Sequence, residues 1–250
     1  MRPIVTLLTD FGLADSYVAE MKAAIYSEGT EIRIVDLSHL VPPGDIRTAQ
    51  YLLGRAWSRF PRGTVHVVVV DPGVGSRRRA IAVHQAGQFF VGPDNGVFSS
   101  VLDGGDVVEL RVGHDASPTF HGRDVFAPAA ARLALGEPFG VLGPAIKDPI
   151  CLPVLMLQVR GGAVEGVVVY VDRFGTLVSN IPGETVAGAT AVEVAGTRVG
   201  PLKRTFSDVA SGEPVAYVGS GGMLEVAVRD GSATERLGVG VEAKVTVTQR

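Results

Sequence analysis

The sequence predicts an α/β protein: an N-terminal α/β domain with a mostly parallel central sheet, then a smaller C-terminal all-β barrel domain. Three observations predict it. Short apolar runs alternate with segments of helical periodicity over residues 4–70. One of those runs, Thr64 to Val70, is almost continuously β-branched, which suits a strand buried on both faces of a parallel sheet. Beyond Pro138 the helical periodicity stops, and short apolar segments separated by glycine-rich turns take over.

Residues 4–8 read as the first strand, running into Thr9-Asp10-Phe11-Gly12. Residues 16–27 carry Val18, Met21 and Ile25 on one helical face, with Asp15 as the expected cap. Residues 32–37 form a second strand. Residues 45–60 form a second helix, with Ile46, Ala49, Leu53, Ala56, Trp57 and Phe60 near helical spacing. The buried strand at 64–70 completes a βαβαβ order, which implies right-handed crossovers. Residues 80–84 and 88–91 suggest two strands around a short turn, and Gly92-Pro93-Asp94-Asn95-Gly96 is a loop. A strand at 107–110, a loop at 115–121 and a helix at 125–135 follow, with Pro128 tolerated in that helix's first turn. Pro138, Pro144, Pro149 and Pro153 punctuate an expected linker between domains at 1–150 and 160–250. Strands are expected at 163–171, 177–181, 191–194, 214–218, 223–228 and 243–248, and Ser232 with Glu235 fits a capping box.

Composition excludes several classes. The 250 residues carry a net charge of −3, so no electrostatic argument favours nucleic acid or an anionic membrane as partner. No apolar run approaches a membrane span, and Asp10 ends the first apolar run too early for a secretory signal. The one cysteine, Cys151, allows no intrachain disulfide and no cysteine-based metal cluster, which fits a cytoplasmic protein.

Some motifs mislead. Asp10-Phe11-Gly12 matches a kinase tripeptide at the wrong end of the chain, without the rest of the kinase set. Gly73-Val74-Gly75 begins like a dinucleotide fingerprint, but Arg78 stands where the third glycine would be. His39, His66, His84, His114 and His121 show no metal-ligand spacing, so no metal is expected. His66 and His84 lie within strand patterns and read as structural.

The candidates for chemistry cluster at predicted strand ends. Asp71 ends the buried strand, Pro72 stops the ladder, Gly73 and Gly75 permit a tight loop, and Arg77 to Arg79 return opposite charge to the carboxylate. In open α/β sheets, ligands bind beyond that edge. Asp10 ends the first strand on the same edge, as a ribose-diol acceptor or a helix cap. His121, between Phe120 and Gly122, is a surface loop residue or, beside Asp71 and Arg78, a proton acceptor. In the C-terminal half, Asp172-Arg173-Phe174-Gly175 is a turn or a base-stacking platform, with Asn180 near the next strand's end. Gly219-Ser220-Gly221-Gly222 is a hairpin or a cradle for a carboxylate.

Taken in order, Thr9-Asp10-Phe11-Gly12, Ser38-His39, Asp71-Pro72-Gly73-Val74-Gly75 with Arg78, Gly92-Pro93-Asp94-Asn95-Gly96, Thr119-Phe120-His121-Gly122-Arg123-Asp124 and Asp172-Arg173-Phe174-Gly175 resemble one family. That family is the S-adenosyl-L-methionine (SAM) hydroxide adenosyltransferases, adenosine-forming SAM hydrolases related to the SAM-dependent fluorinase and chlorinase. The resemblance spans nearly the whole chain. It implies a homotrimer that binds SAM where two subunits meet, and a reaction giving adenosine and L-methionine with no cofactor, SAM being the substrate. It also implies Asp71, Arg78 and His121 as catalytic residues and Asp10 as the ribose ligand. Asp172, Phe174, Thr176 and Ser220 would then contact adenine or methionine. Thr176 stands where the family often has Asn, and Gly222-Met223 replaces a more usual Gly-Tyr. Halogenating relatives have a different group at the position of Asp71 and lack the Arg and His partners. Hydrolysis is therefore expected, ahead of a SAM-dependent halogenase or a non-catalytic SAM or adenosine-binding protein.

Overall fold

A computed structural model of the chain describes residues 2–249. Its contacts divide it into two compact units, one reaching to Leu152 and the other starting at Pro153.

The first unit is built on β1 (Ile4–Thr9), α1 (Tyr17–Glu28), β2 (Arg33–Ser38), α2 (Ile46–Ala56), β3 (Val65–Val69), β4 (Ala80–Gln85), β5 (Gln88–Pro93), β6 (Asp106–Glu109) and α3 (Ala127–Ala134). Six strands lie in the order β2-β1-β3-β5-β4-β6. β2, β1, β3 and β5 are parallel, while β4 runs antiparallel to both its neighbours. That reversal follows from the two-residue turn Ala86-Gly87, both at positive φ, which suits a tight hairpin. β3 is buried along its whole length. Val65, Val67 and Val69 pack with Met21, Ile25 and Phe126 on one face, and Val68 and Val70 pack with Leu53, Phe90 and Phe98 on the other. Two apolar faces explain why the run does not alternate. Thr9 pairs with Val69, so β1 and β3 end side by side.

Local chemistry corrects several boundaries. Asp15 is not the cap of α1: Ser16 takes the N-cap position without a side-chain cap bond, and its hydroxyl donates to Glu20 instead. Asp45 does cap α2, accepting from Thr48 N, but the helix tightens into a 3₁₀ turn at Trp57–Arg59. The third helix begins earlier than expected, through a π-helical turn at Gly122–Phe126. The proline-rich stretch is not a free linker. Ile146 N bonds Val107 O, Ile150 N bonds the Asp94 carboxylate and Leu152 N bonds Ser99 Oγ, so it is strapped to the first unit. Prolines there remove donors, and the remaining donors find partners in the sheet's loops.

The second unit holds β7 (Gln158–Arg160), β8 (Ala163–Val171), β9 (Leu177–Pro182), β10 (Ala191–Val194), β11 (Thr197–Gly200), β12 (Pro214–Val218), β13 (Met223–Val228), α4 (Ala233–Leu237) and β14 (Lys244–Thr248). The order is β11-β10-β14-β8-β9-β13-β12, all antiparallel, with β7 added against β8. A bridge between Leu202 and Ala216 brings the two edge strands together, so the sheet nearly closes into a barrel. β7 and β11 were not expected from sequence, because neither short, largely exposed strand shows an apolar alternation. Ser232 caps α4 by accepting from Glu235 N. Among the described residues no helix is long and apolar enough to cross a membrane.

His66 is a structural histidine. Its Nδ1 lies 2.8 Å from Thr6 Oγ1 and its Nε2 lies 2.7 Å from Gln88 Oε1. Burial pushes its pKa down to about 4, against about 6.5 in an unfolded chain. Between those values the unfolded chain binds more protons, so this contribution is complete above pH 6.5 and is lost as pH falls through about 4. At about 1.4 kcal/mol per unit the full loss is about 3 kcal/mol. Denaturant midpoints across this window should depend less steeply on pH in His66→Gln than in the wild type. Equal slopes would contradict the assignment.

Candidate active site

The site begins where β3 ends. Pro72 offers no N–H to continue the ladder, and Val74 N bonds Asp71 O while Ser76 N bonds Gly73 O. Those two turns fold the chain back so that Arg78 meets Asp71. Arg78 Nε lies 3.0 and 3.1 Å from the two carboxylate oxygens, and Nη2 donates to Oδ2 as well. Both side chains are nearly buried, at 9% and 5% exposure. The same Nη2 lies 3.0 Å from His121 Nδ1. Phe126 supports the group from below, with the guanidinium carbon 5.3 Å from its ring centroid.

The donor inventory fixes the histidine. Arginine only donates, so Nδ1 must present its lone pair and the neutral ring carries its hydrogen on Nε2. Burial holds the His121 pKa below the ordinary histidine value. The Arg78 charge lowers it further, against the smaller opposing pull of Asp71 and Asp124. The imidazole is therefore neutral at neutral pH.

Two devices place the His121 loop. Asp124 accepts from Ser117 N at 2.8 Å and from Arg123, which also reaches Glu20 at 2.9 Å. Gly75, at φ 75°, packs so close that an added Cβ would lie 2.5 Å from Pro118 O. Only glycine lets these two loops touch backbone to backbone.

Asp71 and His121 line a cavity of about 680 Å³, together with Asp10, Phe11, Tyr17 and Phe120. That volume lies within the range typical of small-molecule pockets, roughly 300–1,000 Å³. Asp10 is not a helix cap: Oδ2 accepts from Gly44 N at 2.8 Å. Its loop is held by His39, whose Nδ1 lies 2.9 Å from Thr9 Oγ1 and whose carbonyl accepts from Gly12 N. Phe11, Tyr17 and Phe120 form a mutually tilted aromatic wall. Arg78 is absent from the lining and sits behind Asp71 and His121.

The structure thus brings Asp10, Asp71, Arg78 and His121 together in the first unit. The other four candidates lie in the second unit. Asp172 Oδ1 accepts from Phe174 N and Thr176 N, stabilising its own turn. Phe174 is 71% exposed, with Arg173 over its ring. Thr176 is buried. Ser220 is exposed in the β12–β13 turn, which Gly222 N closes onto Gly219 O. Asn180 serves the backbone, bonding Val167 N and Leu155 O. Sequence reasoning missed Phe126, Tyr17 and Gly44. Phe126 and Tyr17 read as ordinary helix residues, and nothing in the sequence pointed to Gly44 N.

Two family models match the chain: the SAM hydroxide adenosyltransferase N-terminal domain over residues 5–143 and its C-terminal domain over residues 166–246. The chain belongs to the SAM hydroxide adenosyltransferase family. Within this family it is similar to the (R)-S-adenosyl-L-methionine hydrolase of Thermus thermophilus, 46% identical over 96% of each chain. It is similar at greater distance to a fluorinase of Actinoplanes, 27% identical over 90% of each chain. Its fold matches the crystal structure of an uncharacterized conserved protein from Thermotoga maritima, with a TM-score of 0.92 and 34% identity, covering 98% of this chain and 100% of that one.

The charge balance around His121 gives a direct check. Arg78→Gln removes the cation that depresses His121 and leaves the carboxylates that raise it. The His121 pKa, followed by NMR and assigned with His121→Gln, should lie below the ordinary histidine value in the wild type and rise in the variant. An unshifted titration would show that the guanidinium does not face the ring.

Proposed function

We propose that the protein hydrolyses SAM to adenosine and L-methionine, by attack of an activated water on the ribose 5′ carbon. The observation that carries this is the buried Asp71–Arg78–His121 cluster facing a nucleoside-sized cavity, with Asp10 at the same sheet edge. The names of its hydrolase relatives support the reading, and the (R)-sulfonium epimer is the substrate form they point to.

The chemistry asks little of the leaving group. The sulfonium departs with the C–S bonding pair as neutral methionine and needs no proton. The task is to deliver a weak nucleophile in line with that bond. Asp71, an acceptor-only carboxylate, takes a hydrogen bond from the water and then its proton. The His121 Nε2–H donates to the water oxygen and aims its remaining lone pair at the carbon. Arg78 acts through both, and its charge favours the hydroxide form. In this reading Asp71 takes the proton rather than His121, whose one lone pair faces Arg78. General-base assistance contributes on the order of 100- to 10,000-fold, and orientation in a closed site up to roughly 7–11 kcal/mol. Asp10 holds the ribose diol, and Asp172, Phe174, Thr176 and Ser220 meet adenine and methionine. In this reading the protein is a cytoplasmic homotrimer with sites at subunit interfaces, and no metal or cofactor takes part. The family resemblance supports the trimer, and the cysteine usage supports the compartment.

A halogenase reading is disfavoured by Asp71. A carboxylate where the nucleophile must sit repels a halide and attracts a water. A purely binding role leaves the neutral imidazole and the carboxylate of the ion pair, both on the cavity wall, without a purpose.

Purified protein given SAM without halide, in water labelled with heavy oxygen, should release adenosine carrying the label on its 5′ hydroxyl. Asp71→Asn should lower kcat at least about 100-fold while adenosine still binds. Unlabelled adenosine, or no adenosine, would sink the mechanism.

A further inference from the structure

The sheet order poses a mechanical problem that the pair Asp94-Asn95 solves. β3 and β4 are consecutive in the chain but β5 lies between them, so the connection carrying Asp71 and Arg78 must straddle the end of β5. The residues leaving that end are Asp94 and Asn95. Asn95 Nδ2 donates to Val70 O at 2.9 Å, gripping the residue just before Asp71. Its Oδ1 is held in turn by Val97 N. Asp94 N donates to Arg79 O at 2.9 Å, gripping the residue just after Arg78. The Asp94 carboxylate, 1% exposed, binds the Arg79 guanidinium at 2.6 Å and Ile150 N at 2.7 Å. Arg79 also reaches Asp148.

We propose that Asp94 and Asn95 are positioning residues for the reaction: from one strand end they hold both feet of the 71–78 loop and so set the approach of Asp71 to Arg78. This rests on the catalytic reading of Asp71, Arg78 and His121. Neither residue needs to touch substrate, and neither lines the cavity. The grip is on the backbone on either side of the loop, so loosening one foot displaces Asp71 relative to the guanidinium without opening the fold. Displacements of about 1 Å at reacting groups cost on the order of 100-fold in rate.

Asn95→Asp is the test. It keeps the acceptor for Val97 N but sets a carboxylate oxygen against Val70 O, reversing one foot of the clamp. Kinetics with SAM should show kcat lowered at least about tenfold with KM within about twofold. The His121 titration, read by NMR, should move upward as Arg78 loosens its contact. The proposal is overturned if the folded variant keeps wild-type kcat, or if His121 titrates as in the wild type. Should Asn95→Asp fail to fold, Arg79→Lys, which breaks the paired hold on Asp94, is judged by the same two readouts. A wild-type protein that makes no adenosine would sink the reaction rather than the clamp, which the histidine titration then decides alone.

Discussion

One guanidinium organises this molecule's chemistry. Arg78 has only donors to give, and it spends them on Asp71 and on His121 Nδ1. That single constraint orients the carboxylate, selects the histidine tautomer, keeps the ring neutral and leaves an acceptor and a donor facing the cavity. The group is almost fully buried, so its interactions are weakly screened and removing one partner leaves an uncompensated charge. Phe126 carries the flat face of the guanidinium, and the π-helical turn that presents Phe126 also presents His121. π-turns concentrate at functional sites because the extra residue re-aims side chains that a regular helix would misplace.

The fold supplies the convergence that chemistry needs. β1 and β3 are parallel and end in register, so Asp10 and Asp71 emerge side by side. Because β5 separates β3 from β4, the loop between them must arch, and its own arginine closes it. The His121 loop arrives from the far side and touches this arch at Gly75, where no side chain would fit. Three separate segments therefore meet around one small volume, each anchored to the sheet or to α1.

Much of this was legible in the sequence. The β-branched run at 65–70 named the central strand, and the Asp-Pro-Gly that follows named its end, because both signals are local. Asp71 and Asp10 were placed at strand ends by the same logic, whereas Arg78 was singled out from Arg77 to Arg79 by the family resemblance. The roles within the cluster were not. Which histidine nitrogen carries the hydrogen depends on the donor facing it, and that donor comes from 43 residues away. β7 and β11 were invisible because they pair at the barrel's margins with little apolar signal. Asp15 was misread as a cap because its neighbour Ser16 occupies the capping position and turns its hydroxyl to Glu20. The proline stretch read as a linker because its partners, Asp94 and Ser99, are distant in sequence.

The most direct measurement is the tautomer of His121 in the resting protein. Nitrogen-labelled histidine, observed by NMR near neutral pH and assigned with His121→Gln, should show a bare Nδ1 and a protonated Nε2. An Nδ1–H tautomer, or a charged imidazolium, would mean that Arg78 does not bridge the carboxylate and the imidazole, and the account built on that bridge would fail.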